Sequence, residues 1–193
     1  MKTVFFDIDS QLDFLYPAGA LYVPGAEHIV PAIARLNRYA AAHGIPVVST
    51  TDAHAENDPE FQSWPPHCVV GTTGQHKAEA TKLEKSVVVP NRPCDIVLEG
   101  AQQIILEKQN VDAFTVPNLA RILEYLAADA FVVYGVVTEI CVLFAARGLL
   151  RYGKPVTIVT DAVRSLTAEA SERALAEFRT AGGTLSLTSE IAP

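Results

Sequence analysis

Short apolar runs alternate along the chain with longer stretches in which apolar residues recur every three or four positions. Val4-Phe5-Phe6-Asp7-Ile8-Asp9 reads as a buried strand ending in acids, and Pro46 to Thr51 as a second strand. Between them Ile29, Ile33, Leu36 and Tyr39 keep helical spacing and stop near His43-Gly44. Ser86 to Val89 and Gln103 to Leu106 are weaker strand signals. Pro117 suits the first turn of a helix carrying Leu119, Ile122, Leu123 and Leu126. Ala130 to Val137 is the strongest strand; Thr138 can cap a helix that runs to about Tyr152 and stops at Gly153. Val156 to Val159, a helix from about Thr167 to Ala181, and Thr184 to Leu187 complete the series. This alternation predicts an α/β fold, a mostly parallel, doubly wound sheet covered by helices on both faces to give three layers.

The stretch from Asp52 to about Lys85 breaks the pattern. It is polar, holds three prolines and has little apolar period, and loops of that length are usually functional or disordered. The run Trp64-Pro65-Pro66-His67-Cys68 favours a functional loop. Nothing marks a linker or a repeat, so the 193 residues read as one domain. With 49% hydrophobic and 19% charged residues, a disordered or tail-like chain is excluded. The net charge of −7 is a poor start for binding a phosphate backbone, so no nucleic-acid partner is expected. No apolar run approaches the ~18 residues of a membrane span. The opening residues reach Asp7 too soon for a secretory signal, and the three cysteines, Cys68, Cys94 and Cys141, show no CxxC pairing. A cytoplasmic location with free thiols is the expectation.

In parallel sheets of this kind ligands bind beyond the carboxyl ends of the strands. The first strand delivers Asp7 and Asp9 there, and the second Asp52 and His54. The strand near Leu106 delivers Lys108, and the strongest strand delivers Thr138 and, one turn on, Cys141. With Thr138 as cap, Cys141 lies in a first helical turn, where the dipole and a nearby Lys108 would lower a thiol pKa. Asp9 could take the thiol proton and pass it to a leaving amine. The plainer alternative is a cysteine that packs a helix on the sheet, but Asp9 and Lys108 at neighbouring strand ends favour a nucleophile. Asp52, His54, Glu60 and His67 supply two carboxylates and two imidazoles, a set that suits zinc, or iron or manganese with added waters. The alternative is a polar surface loop. Trp64, the single tryptophan, and Phe14 are either core residues or walls for a planar ligand; His28, His43 and His76 read as surface residues.

These residues resemble the isochorismatase-like cysteine hydrolases. Asp9-Ser10-Gln11-Leu12-Asp13-Phe14 is similar to the family's D-x-Q-x-D-F opening. Asp52-Ala53-His54 and Trp64-Pro65-Pro66-His67-Cys68 resemble the metal loop of its nicotinamidases, and Gly135 to Cys141 resembles its nucleophile segment. Lys108 followed by Asp112-Ala113-Phe114 matches the lysine segment. The resemblance implies a triad of Asp9 as base, Lys108, and Cys141 as nucleophile, with a cis peptide between Val137 and Thr138. It implies an oxyanion hole from the N–H groups of Val137 and Cys141. It further implies a divalent metal on Asp52, His54, Glu60 and His67, and aromatic walls from Phe14 and Trp64. The implied reaction takes a small amide, nicotinamide or a similar heteroaromatic amide, to acid and ammonia through a thioester. A homodimer or homotetramer is implied as well. Leu12 departs from the asparagine usual in nicotinamidases, and Glu60 stands where many have a histidine. A carbamoyl- or ureido-compound amidohydrolase is the alternative within the family. Outside it, Phe5-Phe6-Asp7-Ile8-Asp9 also resembles the start of haloacid-dehalogenase-type phosphatases, with Asp7 as nucleophile and magnesium as cofactor.

Overall fold

The computed structural model describes residues 2–193. Seven strands form one parallel sheet: β1 (Thr3–Ile8), β2 (Val47–Asp52), β3 (Ser86–Val89), β4 (Gln103–Lys108), β5 (Ala130–Val136), β6 (Val156–Arg164) and β7 (Thr184–Ser186). Their order is β3-β4-β2-β1-β5-β6-β7. The helices are α1 (Leu12–Leu15), α2 (Val30–Ala42), α3 (Leu119–Leu126), α4 (Leu143–Leu150), α5 (Ala168–Thr180) and α6 (Thr188–Ile191). The step from β1 to β2 runs one way along the sheet, while those from β5 to β6 and β6 to β7 run the other. Right-handed crossovers therefore place α2 on one face and α4 and α5 on the opposite one. The reversal lies between β1 and β5, where a crevice opens beyond the strand ends.

β1 and β5 read as apolar runs because both faces are covered: Val4, Phe6, Val133 and Tyr134 are fully buried. Gly135 is the one position in this pair that tolerates no side chain. Its φ is +118°, and a Cβ there would collide with the backbone of Ile8. Among the described residues no helix is long and apolar enough to cross a membrane.

Three expectations need correction. The helix expected from Thr138 begins instead with a π-helical turn, Thr138–Val142, whose cap position is Val137. Thr138 lies inside that turn, so its hydroxyl caps nothing and is buried without a partner. The non-proline cis peptide is Val136–Val137, one residue before the expected bond, at the end of β5. β6 continues to Arg164 rather than stopping at Val159. Asp161 lies within the strand, and its carboxylate accepts hydrogen bonds from the Thr188 N–H and hydroxyl at 2.7 and 2.9 Å, anchoring α6. The long polar loop is ordered around three 3-10 turns, Pro59–Gln62, Thr73–Gln75 and Glu79–Thr81. Isolated bridges tie it down at Gln11–Lys77 and His54–Val69.

Candidate active site

Sheet register brings the charged residues together. Asp52 and Lys108 are paired neighbours at the ends of β2 and β4, and the Lys108 ammonium hydrogen-bonds Asp52 Oδ1. The same ammonium lies 3.0 Å from Asp9 Oδ2 and 3.7 Å from Cys141 Sγ. Asp9 follows β1 in a left-handed conformation, φ +49°, and its other oxygen accepts from the Thr50 hydroxyl at 2.6 Å. Thr50 was hidden in the sequence inside an ordinary strand. Asp9 and Lys108 are each 1% exposed, whereas Cys141, at 9%, reaches the wall of a cavity above them. Of this trio only Cys141 lines the cavity.

One ammonium among two carboxylates fixes the resting charges. Burial raises the Asp9 pKa, with Lys108 opposing it. Burial also disfavours the Asp52 charge, but Lys108 and the neighbouring His54 and His67 imidazoles outweigh it and hold that carboxyl well below the usual range. Lys108 loses charge stability to burial and regains more from Asp52 and Asp9, so its pKa rises well above the ordinary value. The Cys141 thiol is pushed up by burial, which Lys108 only partly offsets and the two carboxylates reinforce. The expected lowering of this thiol pKa is therefore reversed.

The metal-type residues gather on the second strand end and its loop. Suitable donor atoms of Asp52, His54 and His67 all lie within 4.8 Å of one another. His67 Nε2 and His54 Nε2 stand 3.6 and 3.8 Å from Asp52 Oδ2. His67 Nδ1 lies 2.7 Å from the Pro65 carbonyl, an acceptor that leaves Nε2 with its lone pair facing Asp52. His54 is fully buried, yet neither ring nitrogen forms a well-aligned hydrogen bond within the described residues. Two buried imidazole Nε2 atoms facing one carboxylate oxygen, beyond hydrogen-bond distance of it, are the donor set of a metal site, so the residues fit a divalent cation. Glu60 lines the same cavity but groups more closely with His54 and Asp58. Asp58, which sequence reading missed, sits 3.1 Å from His54 Nδ1. Its position four residues after His54 was the available signal.

The D-x-Q-x-D segment explains the precision of this arrangement. Gln11 brackets the backbone of Asp52, accepting from its N–H at 2.6 Å and donating to its carbonyl at 2.8 Å. Asp13 accepts from the Cys68 N–H at 2.7 Å, beside His67. Phe14 packs on the His67 ring, with centroids 5.3 Å apart.

The cavity above Cys141 is partly open to solvent. Phe14 and Trp64 both line it, with Cys141, Asp52, Glu60 and His67 on its polar side. Leu21, Val23, Val111 and Leu166 add apolar walls that the sequence did not single out. No lysine or arginine among the described residues lines it. Asp7 is elsewhere: it is 0% exposed and faces α2, where Asn37 donates to it at 2.8 Å. That placement gives a phosphatase-type nucleophile no access to substrate.

The chain is similar to known proteins over nearly its whole length. Residues 3–190 match the isochorismatase domain. The nicotinamidase/pyrazinamidase of Mycobacterium tuberculosis is 30% identical, over 90% of this chain and 92% of that protein. The maleamate amidohydrolase of Pseudomonas putida is 27% identical, over 84% and 72%. The crystal structure of the pyrazinamidase of Pyrococcus horikoshii in complex with zinc superposes with a TM-score of 0.83 at 28% identity, covering 97% of this chain and 99% of that one. The chain belongs to the isochorismatase family of hydrolases, in its nicotinamidase-like branch.

Proposed function

We propose that the protein hydrolyses nicotinamide or a similar heteroaromatic amide to the acid and ammonia, with Cys141 as nucleophile. The observation that carries this reading is the placement of the Cys141 thiol in the wall of an apolar cavity, directly over the buried Asp9–Lys108 pair. As the sulfur adds to the amide carbonyl, Asp9 takes the thiol proton. The N–H groups of Val137 and Cys141 hold the developing oxyanion. Asp9 then returns the proton to the amine, the carbon–nitrogen bond breaks, and ammonia leaves a thioester. Asp9 next deprotonates a water that attacks the thioester, releasing the acid and restoring the thiol. Lys108 keeps Asp9 oriented and offsets negative charge near the sulfur.

Asp52, His54 and His67, with Glu60 beside them, are the residues that would hold a divalent cation; the set suits zinc first, with iron or manganese as alternatives. Bound there, the cation supplies a Lewis-acid site for a ring nitrogen. Phe14 and Trp64 bound the ring. Purified protein should carry about one divalent metal per chain, and His67→Ala should lower that content. Elemental analysis finding no metal, with full activity after chelation, would remove the four residues from the site.

The lining also separates two substrate classes. Carbamoyl amino acids, ureidoacrylate and maleamate all bring a carboxylate, yet the cavity offers two acidic side chains and no cation beyond a bound metal. In an ammonia-release panel, nicotinamide and pyrazinamide should exceed these anionic amides in kcat/KM by about tenfold or more. The reverse order would favour the carbamoyl- or ureido-amide reading.

A further inference from the structure

Asp7 takes no part in the chemistry proposed above, although it lies two residues before the base. Its carboxylate is bound by Lys77, with Nζ 2.6 Å from Oδ2, and by the Ser10 hydroxyl, which donates to Oδ1 at 2.7 Å. Lys77 also donates to Ser10 Oγ, and Thr81 Oγ1 lies 3.2 Å from the same oxygen. Ser10 is gripped through its backbone as well, its carbonyl accepting from the Ala78 N–H at 2.9 Å. Lys77 comes from the far end of the ordered loop, delivered by its bridge to Gln11. Asp7, Ser10 and Lys77 are all buried, and none borders the cavity of the proposed site.

The cluster has a consequence for Asp9. In an unbroken strand, residues two apart face the same side, so Asp9 would share the surroundings of Asp7 and place two carboxylates together. The left-handed conformation at Asp9 breaks the alternation, and its carboxylate meets Thr50 and Lys108 instead. Such a conformation is uncommon for a residue with a side chain, and although Asp tolerates it better than most, contacts around it help to fix it. The neighbour so held is Ser10.

We propose that the Asp7–Lys77–Ser10 cluster is a positioning device for the base: by pinning Ser10 it holds Asp9 in the turn that aims its carboxylate at the Cys141 site. The residues act through Asp9 and never touch substrate. The proposal rests on the base role given to Asp9, which Asp9→Asn tests separately.

Two variants test it, each assayed on the amide that the wild-type enzyme turns over best. Ser10→Ala removes the hydroxyl and leaves the Asp7–Lys77 ion pair in place. Asp7→Asn combined with Lys77→Met removes both charges together, so neither is left buried alone. In both, kcat should fall about 10- to 100-fold with KM unchanged, because a small misplacement of a reacting group costs rate rather than binding. The thermal midpoint of each should stay near that of the wild type. Folded variants with wild-type kcat would overturn the positioning role, even if Asp9→Asn is inactive and the base stands. Full turnover by Asp9→Asn would overturn both.

Discussion

Cys141→Ala should release ammonia from nicotinamide at no more than about 10⁻⁴ of the wild-type rate while melting at the wild-type temperature. The sulfur occupies a cavity wall above a buried ion pair, and no other thiol can stand in for it. Cys68 is fully buried with its pKa raised by burial, and Cys94 lies near Asn118 and Arg121, outside the cavity. Stability should change little because the substitution removes one atom at the cavity wall and leaves Val137 and Ile140 in place beside it. Cys141→Ser sharpens the test. It keeps a hydroxyl in place of the thiol, and Asp9 is a far weaker base than an alcohol needs, so its rate should lie near that of the alanine variant. Ammonia release and a thermal melt on the same preparations decide the matter. Turnover within tenfold of wild type in either variant would remove Cys141 as nucleophile.

Much of this site was legible in the sequence because parallel sheets deliver their chemistry at strand ends. Asp9, Asp52, Lys108 and Cys141 follow four strands that the apolar pattern located, and the structure brings all four together. The cavity walls from Leu21, Val23, Val111 and Leu166 were not legible, since an apolar residue in a loop looks the same whether it plugs the core or faces a ligand. The turn after β5 was misjudged for a similar reason. Thr138 has the composition of a helix cap, but a cap is defined by backbone geometry, and the π-helical turn starts one residue earlier. The thiol was misjudged on electrostatics. Sequence put Lys108 near Cys141 but could not weigh it against the burial and the two carboxylates that share the ammonium. Asp7 shows the opposite limit, a conspicuous D-x-D aspartate whose partner, Lys77, lies seventy positions away and carries no motif.

Lys108→Met should be the most destabilising single change in the site. Its ammonium is 1% exposed and lies between the Asp9 and Asp52 carboxylates. Removing it leaves both buried without their cation, at a cost of about 3–5 kcal/mol. For a chain of this size that corresponds to a fall in thermal midpoint of about 6–20 °C. The deficit should depend on pH, and Asp9 sets its sign. Its folded pKa is already raised above 3.8 by burial, with Lys108 restraining the rise. A carboxyl whose pKa is raised on folding contributes stability that is full at low pH and lost as pH climbs through the folded value. Without Lys108 that folded value climbs further, so the loss extends to higher pH. The gap between variant and wild type should therefore be smallest near pH 4–5 and widest at pH 7–8. Thermal melts of both proteins across that range, after treatment with chelator, provide the measurement. Equal midpoints at both ends would show that the ammonium does not hold the carboxylate charged, and with that the charge balance assigned to the resting site would fail.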